Sequence, residues 1–443
     1  MEKIRSANAW QNWVGALAIF LAGFGVSGQE NLVPAPRTEA EIQKMMSITE
    51  DLHILPPGVR PEMLEHLLEI GEVVVYFDHS LKVPWMSAAG ILVDAPVDQV
   101  FAVLTDYTHY PSFVPMTEAA EVQKIANNLV RVDFHLNVQM SFLHYRLDYG
   151  VYHHWQPPYR SDWSHAWGEF GINTGFAELV PASSGKRTMF FYSVYSEPRS
   201  KFLKSLYARE PSLEMMTSLS TATVFVRAIK AEAEKRSAAA GCKAAGAGKP
   251  RHIFDVLAED PGGMKKMLEQ GNLLVLEDGP TVYVVSGGLV DAPIAQAYAV
   301  ISDFEKQPEF VPGVKKAKHL AATQAGDTFQ WELEFDLAFF RYLQTPLWTY
   351  NYSAPELITW DILRPCCGRV QGFWKLLPLG DQTLIFNGSS ADIRSMGFIP
   401  RYALDKEPTL EHAALASQAL LVVNAMKQRI AQKFGRQTSL PKE

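Results

Sequence analysis

A 24-residue stretch beginning at Leu92, LVDAPVDQVFAVLTDYTHYPSFVP, recurs from Leu289 as LVDAPIAQAYAVISDFEKQPEFVP, with 13 residues identical at an offset of 197. The offset persists well beyond the motif. Phe142 and Tyr145 correspond to Phe339 and Tyr342, Trp163 to Trp360, GFAELVP at Gly175 to GFWKLLP at Gly372, and EPSLE at Glu210 to EPTLE at Glu407. A match that runs the length of a domain is a tandem duplication, so whatever fold one copy adopts must be adopted twice. The copies span 61–236 and 261–433. Between them, 237–260 is rich in Ala and Gly and reads as a flexible linker. Residues 29–60 form a Pro-dotted lead-in, with a short helix expected from the Thr38–Glu41 capping-box spacing, and 434–443 form a tail.

Within one copy the order of elements is legible. Residues 62–70 read as a helix and EVVVYFD as a β-branched strand. From Pro96 onward, Val100, Phe101 and Leu104 fall at helical spacing. Val130, Val132, Phe134, Leu136, Val138 and Met140 then alternate with Arg131, Asp133, His135, Asn137 and Gln139, which predicts an antiparallel strand with one apolar and one wet face. The second copy repeats the pattern with Phe329, Trp331, Leu333, Phe335 and Leu337. Further strands follow, and each copy ends in a long helix; in the first, Leu213, Met216, Leu219, Thr223, Val226 and Ile229 share a stripe. An antiparallel sheet whose apolar face needs a long helix as cover is an α+β arrangement.

The motif DAPVDQVFAVLTDYTHYPSFVP and the closing amphipathic helix resemble the START-like superfamily, in particular its polyketide cyclase and coenzyme Q-binding branch. The resemblance implies tandem helix-grip domains, each a curved antiparallel sheet wrapped around its C-terminal helix with a hydrophobic cavity between them. It also implies ligands such as lipids, sterols, quinones or polyketides. Asp94, Pro96, Asp106, Pro111, Phe113 and Pro115, with Asp291, Pro293, Asp303, Pro308, Phe310 and Pro312, match the family pattern and read as architectural. Pro96 suits a first helical turn, and Asp106 suits bonding to a following backbone N–H.

Composition and charge narrow the function. The chain is 47% hydrophobic with a net charge of −7 and no basic block, so nucleic acid is not an expected partner. At the N-terminus, Lys3 and Arg5 precede an apolar stretch from Val14 to Phe24 and then Gly25, Val26, Ser27 and Gly28. That order predicts a secretory signal peptide over 1–28, cleaved after Gly28, hence a periplasmic or otherwise exported protein; an uncleaved membrane anchor is the alternative. Cys242, Cys366 and Cys367 form neither a disulfide scaffold nor a zinc-ligand spacing. No metal or cofactor is expected, and no nucleophile-elbow, zincin, P-loop or dinucleotide fingerprint occurs.

The expected ligand-binding residues are aromatic and aliphatic side chains aimed into the two cups: Val132, Phe134, Leu136, Trp163, His165, Trp167, Met216 and Leu219 in the first copy, and Phe329, Trp331, Leu333, Phe335, Trp360 and Phe373 in the second. Phe176, Phe191 and Trp374 are further aromatic candidates. No catalytic residue is assigned. The leading reading is a noncatalytic carrier of a hydrophobic small molecule (a lipid, a sterol- or hopanoid-like molecule, or a quinone), with transient membrane contact as a further expectation. One alternative is an interaction module whose cavities are filled by its own side chains. The other is a cyclase or aromatase using His165, Arg131 or Asp162 for proton transfer. His153, His154, His165 and Asp162 make a thin polar cluster that the second copy lacks, having Tyr350, Asn351 and Ile362 at the three histidine positions.

Overall fold

The computed structural model describes residues 37–434 apart from 48, 79–84, 141–142, 200–203, 206–207, 209–210, 242–251, 278–282, 324–325, 337–340, 364–369, 393–400 and 402–408. The basic-apolar N-terminal stretch and all three cysteines lie outside the described residues. No described helix is long and apolar enough to cross a membrane. The chain divides into two compact units. The first holds residues up to 56 and 64–249; the second holds 57–63, 250–336 and 341–443.

The first unit opens with α1 (Glu39–Met46) and α2 (Pro61–Ile70). The expected capping box is present: the Thr38 side chain accepts from the Glu41 amide, while the Glu41 carboxylate accepts from the Thr38 amide. Next come β1 (Gly71–Asp78), β2 (Trp85–Val93), α3 (Val97–Leu104), a 3-10 helix (Tyr107–Ser112), and the strands β3 (Thr117–Ala126), β4 (Leu129–Met140), β5 (Leu143–Gln156), β6 (Arg160–Gly168), β7 (Phe170–Pro181) and β8 (Thr188–Pro198). Helix α4 (Pro211–Ala239) closes the unit. Every pairing is antiparallel, in the order β1–β2–β8–β7–β6–β5–β4–β3.

Helix α4 lies along β2, β8 and α3 and buries Leu219, Ala222, Thr223, Val226 and Ile229. Its polar flank is tied at two points to the sheet, Arg227 to the buried Glu72 and Lys230 to the Leu92 carbonyl, and at two to the turns flanking α3, Glu234 to the Asp94 amide and Arg236 to Asp106. Asp106 therefore acts differently from the expected turn residue. Its carboxylate takes Arg236 at 2.8 Å and the His109 ring at 2.6 Å, and makes no side-chain cap. Pro96 stands at the N-cap of α3 rather than inside its first turn.

The second unit repeats this plan with α5 (Ile253–Glu259), α6 (Pro261–Glu269), β9 (Gly271–Glu277), β10 (Tyr283–Val290), α7 (Ile294–Ile301), a 3-10 helix (Phe304–Glu309), β11 (Val314–Thr323), β12 (Gly326–Asp336), β13 (Arg341–Gln344), β14 (Leu347–Ser353), β15 (Leu357–Ile362), β16 (Val370–Leu379), β17 (Gln382–Ala391) and α8 (Thr409–Phe434). Helix α5 falls within the stretch read as a flexible linker, and it buries Ile253, Val256 and Leu257. The sheet order is β9–β10–β17–β16–β15–β14–β12–β11, with β13 also paired to β12. Where the first unit has the continuous β5, the second has β13 and β14 with Pro346 between them, a residue that cannot donate to a strand ladder.

Helix α8 packs along β10 and β17. It passes so close to the sheet that a Cβ on Gly288 would lie 2.8 Å from Val423 Cγ1. Both units are thus helix-grip folds, an antiparallel sheet with a long C-terminal helix across one face.

Candidate functional site

Cross-strand register fixes which side chains face the helix. Phe134 is opposite Tyr149, Val132 opposite Val151 and Val130 opposite His153, so these residues share one face of the first sheet. On β6, His153 is opposite Trp163 and Val151 opposite His165, which continues the inner face through Ser161, Trp163 and His165. Gly175 and Tyr192 carry it on to β7 and β8. The Trp163 indole lies over Gly175 so closely that a Cβ there would come within 2.3 Å of its Cζ2. Trp163 then stacks on Tyr192 (4.7 Å between ring centroids), and Tyr192 meets Phe225 of α4 at a tilt (4.1 Å). In the other direction, His153 sits 5.6 Å from Trp163 and 4.7 Å from Tyr107, and Tyr110, Phe134 and Tyr149 extend the chain of rings.

Of the first-copy residues expected at this site, Val132, Phe134, Trp163 and His165 are buried on the inner face. Leu136 shares it and is half-buried, and Leu219 meets it from α4. The Met216 side chain lies outside the described residues. Trp167 is a correction. The β5–β6 ladder slips between Gly150 and Val151, leaving Ala166 as the extra residue and turning Trp167 to the opposite face. There its Nε1–H donates to Asp133 Oδ1, and the ring packs on a cluster of Ile42, Met46, Leu129, Tyr152 and Ala166 beneath α1.

Phe176 and Phe191 also face outward. Phe176 is opposite Asp162 and lies under the Arg160 guanidinium at 4.5 Å, and Phe191 covers Gly90. The proton-transfer trio of His165, Arg131 and Asp162 is split by the sheet. Arg131 pairs with Asp133 at 2.6 Å, and Asp162 is held by Arg160 and Thr49, both on the face away from His165. Arg160 clamps the lead-in there as well, donating to the Leu52 and Thr49 carbonyls. His154 neighbours His153 on β5 and so points to the other face.

In the second unit Phe329, Trp331, Leu333 and Trp360 lie on the helix-facing side, as expected. The Trp360 indole covers Gly372 as Trp163 covers Gly175; a Cβ on Gly372 would come within 2.2 Å of its Cζ2. They pack with Phe304, Trp348, Tyr350, Trp374, Val423 and Met426. The side chain of Phe335 lies outside the described residues. Phe373 is the second correction. Trp360 pairs with Gly372, so Phe373 points outward, where it stacks on Tyr283 at 5.9 Å and meets Phe254 of α5 edge-on at 4.6 Å.

The interiors differ in polarity. At the positions of Tyr107, Tyr110, His153, Ser161 and His165 the second copy has Phe304, Gln307, Tyr350, Ile358 and Ile362. In the first unit burial holds the Tyr107, Tyr110, Tyr149 and Tyr192 phenols well above their ordinary pKa and so neutral. Burial likewise lowers His153 to about 3; His165 falls to about 4 through burial and then through Arg199 and Arg37. Among the described residues, His153 Nε2 and His165 Nδ1 have no hydrogen-bond partner. Sequence reasoning missed Tyr107, Tyr110, Tyr149, Tyr192 and Phe225, and held His153 only as part of a thin polar cluster. Two open hollows, of about 480 and 340 Å³, lie away from this face, one beside Arg37, Glu41, Lys44 and Met45 and one beside Met116, Thr117, Glu118 and Asn137.

A sheet gripping a helix across a face of contiguous aromatic rings defines a fold built to hold hydrophobic ligands. The sequence model of the polyketide cyclase / dehydrase and lipid transport family matches residues 93–207 and 290–398, one match in each copy and about half the chain together. The chain belongs to that family. Among solved structures it is similar to the di-domain ARO/CYC StfQ from the steffimycin biosynthetic pathway (12% identity, 79% of this chain and 99% of that one, TM-score 0.28). It is also similar to a STAR-related lipid transfer protein from Xanthomonas axonopodis (15%, 37% and 95%, TM-score 0.27) and a START superfamily protein from Mycobacterium smegmatis (20%, 34% and 98%, TM-score 0.26). At these scores the family assignment rests on the sequence match. No curated protein matches the chain.

Proposed function

We propose that this protein is a noncatalytic carrier of a hydrophobic small molecule, a lipid, sterol- or hopanoid-like molecule or quinone, held in the first unit between the sheet and α4. The observation that carries the reading is the run of rings in contact from Tyr107 through His153, Trp163 and Tyr192 to Phe225, which offers continuous apolar surface from sheet to helix. Apolar burial at about 0.8 kcal/mol per CH₂ suffices to hold a ligand of some 20 carbons without any chemistry. The split between His165 and the Arg131 and Asp162 carboxylate pairs weighs for a carrier over a cyclase. In the second unit the equivalent interior is lined by Phe304, Phe329, Trp331, Trp348 and Tyr350 without the first unit's two histidines, and the ligand is assigned to the first unit on that difference. Residues 1–28 act as the export signal in this reading, and transient membrane contact loads and unloads the carrier.

Native mass spectrometry of the protein purified from its own source, followed by organic extraction, tests the carrier reading. A discrete hydrophobic adduct that disappears in Trp163→Glu and persists in Trp360→Glu is the expected result. An adduct lost only in the second-unit variant would overturn the assignment to the first unit. N-terminal sequencing of the exported protein should begin at Gln29; a mature chain retaining Met1 in the cytosol would refute export.

A further inference from the structure

Each sheet ends in a strand with a single neighbour. Among the described residues β3 pairs with β4 and β11 with β12, and the far side of each is open. Glu121 to Ile125 are exposed in a row on β3, as are Lys318 to Ala322 on β11. Such an edge presents unpaired backbone groups and is a template for another strand. In geometry the two are duplicates. Each starts with a bulge, between Thr117 and Ala119 and between Val314 and Lys316, and Ala120 and Ala317 stand opposite the inward Phe134 and Trp331. In charge they are opposites. At the offset of 197, Glu118 corresponds to Lys315 and Glu121 to Lys318, and β11 adds Lys316 where β3 has Ala119. Two of these charges are met within their own sheet. Glu118 accepts from Asn137 at 2.6 Å and lies 3.4 Å from Arg146, and Lys315 pairs with Glu334 at 2.9 Å. Glu121, Lys316 and Lys318 make no ion pair among the described residues, and Val122, Ile125 and Leu320 stand exposed beside them.

Lysines on an edge strand guard against pairing, but against like edges only. Two β11 strands paired about Ala317 would set Lys316 against Lys318, and two β3 strands paired about Ala120 would bring Glu121 to Glu118; both arrangements repel. The mixed pairing is complementary. With Ala120 antiparallel to Ala317, Glu121 falls opposite Lys316, and the bulge residues Glu118 and Ala119 fall opposite Lys318. Glu121, Lys316 and Lys318 all lie on the outer faces, opposite Asp133, Glu332 and Gln330 of their own sheets. The His319 amide already donates to Glu305 Oε1 at 3.2 Å, which centres the pairing on Ala317. We infer that this protein associates with itself through its unlike edges, β3 of one molecule pairing antiparallel with β11 of another. The inference is independent of the carrier reading. The contact is heterologous, so every molecule offers both halves and the assembly either closes into a ring or extends.

Sedimentation velocity of the full chain at low salt and rising concentration reads the association, and charge reversal tests its route. Glu121→Lys turns β3 basic like β11, and Lys316→Glu with Lys318→Glu turns β11 acidic like β3. All three side chains are exposed, so the fold tolerates the changes. Each variant alone should associate about tenfold more weakly than wild type, or worse. Mixed in equal amounts, the two should recover the association, because every β3 then finds a β11 of opposite charge. One chain carrying all three substitutions should recover it as well. Lys433→Glu on α8, an equal change of charge elsewhere, should leave it intact. Hydrogen exchange gives a readout independent of mass: amides within 121–125 and 318–322 should slow together as concentration rises.

A wild-type chain that stays monomeric at every concentration would overturn the inference. So would association indifferent to both variants, or variants that stay apart on mixing while the triply substituted chain also fails to associate.

Discussion

Replacing His153 with Phe should change how the protein's stability depends on pH, by an amount the structure sets. His153 titrates near 3 when folded, because burial disfavours its charged form, against about 6.5 when unfolded. Between these values the unfolded chain binds a proton that the folded chain does not. Stability is therefore greatest above pH 6.5 and falls as pH drops toward 3, by about 1.4 kcal/mol per pH unit. From pH 7.5 to 4.5 this single group removes about 3 kcal/mol. His153→Phe removes the term, and at pH 7.5 it also removes the unmet Nε2, worth about 1–2 kcal/mol. The variant should be more stable than wild type by about 1–2 kcal/mol at pH 7.5 and about 4–5 kcal/mol at pH 4.5. Urea unfolding at half-unit pH steps, with the first unit's transition identified as the one that Gly175→Ala shifts, measures the difference, and His165, present in both proteins, cancels. Parallel curves for the two proteins between pH 7.5 and 4.5 would refute a buried, neutral His153.

Gly175→Ala should destabilise the first unit by about 3 kcal/mol or more, because the new Cβ would lie 2.1 Å from the Ser193 carbonyl and 2.3 Å from Trp163, and backbone cannot give way cheaply. Gly372→Ala should do the same to the second unit, so two variants and one denaturation series separate the two transitions. Arg160→Leu should cost about 3–5 kcal/mol by leaving Asp162 buried without its partner and freeing the Leu52 and Thr49 carbonyls, with faster proteolysis of the lead-in as the readout. Adding Asp162→Thr reproduces the second copy's own Leu357 and Thr359 and should recover part of the loss.

Period-two alternation sufficed to place Val132, Phe134, Phe329 and Trp331 on the helix-facing side, since β4 and β12 keep a regular alternation across that span. The same counting failed for Trp167. It shares parity with Trp163 and His165, and the bulge at Ala166 that reverses it belongs to a pairing between strands, which one strand's sequence does not encode. Phe373 fails for a related reason. In GFWKLLP the aromatic pair offers either face, and only the register of Gly372 on Trp360 decides that Trp374 turns in and Phe373 out. Tyr107 and Tyr110 were hidden inside a motif whose prolines and aspartates mark a chain turn, although the 3-10 helix aims both rings at the interior. Strand alternation already put His153 and His154 on opposite faces, and the register with Trp163 decides that His153 is the one that turns in.

The Tyr110 hydroxyl donates to the Leu104 carbonyl at the end of α3, and at the same place in the second unit Gln307 Nε2 donates to the Ile301 carbonyl at 3.1 Å. A phenol and a carboxamide share little beyond a polar hydrogen at the right reach, yet each stops a helix in the same way. After duplication, drift could exchange one residue for the other so long as that carbonyl kept its donor. No such bond was inherited at His153, where the sister copy holds Tyr350 among Phe304, Trp331 and Trp348. The two copies thus kept the joint that ends the helix and diverged in the side chains of the interior behind it.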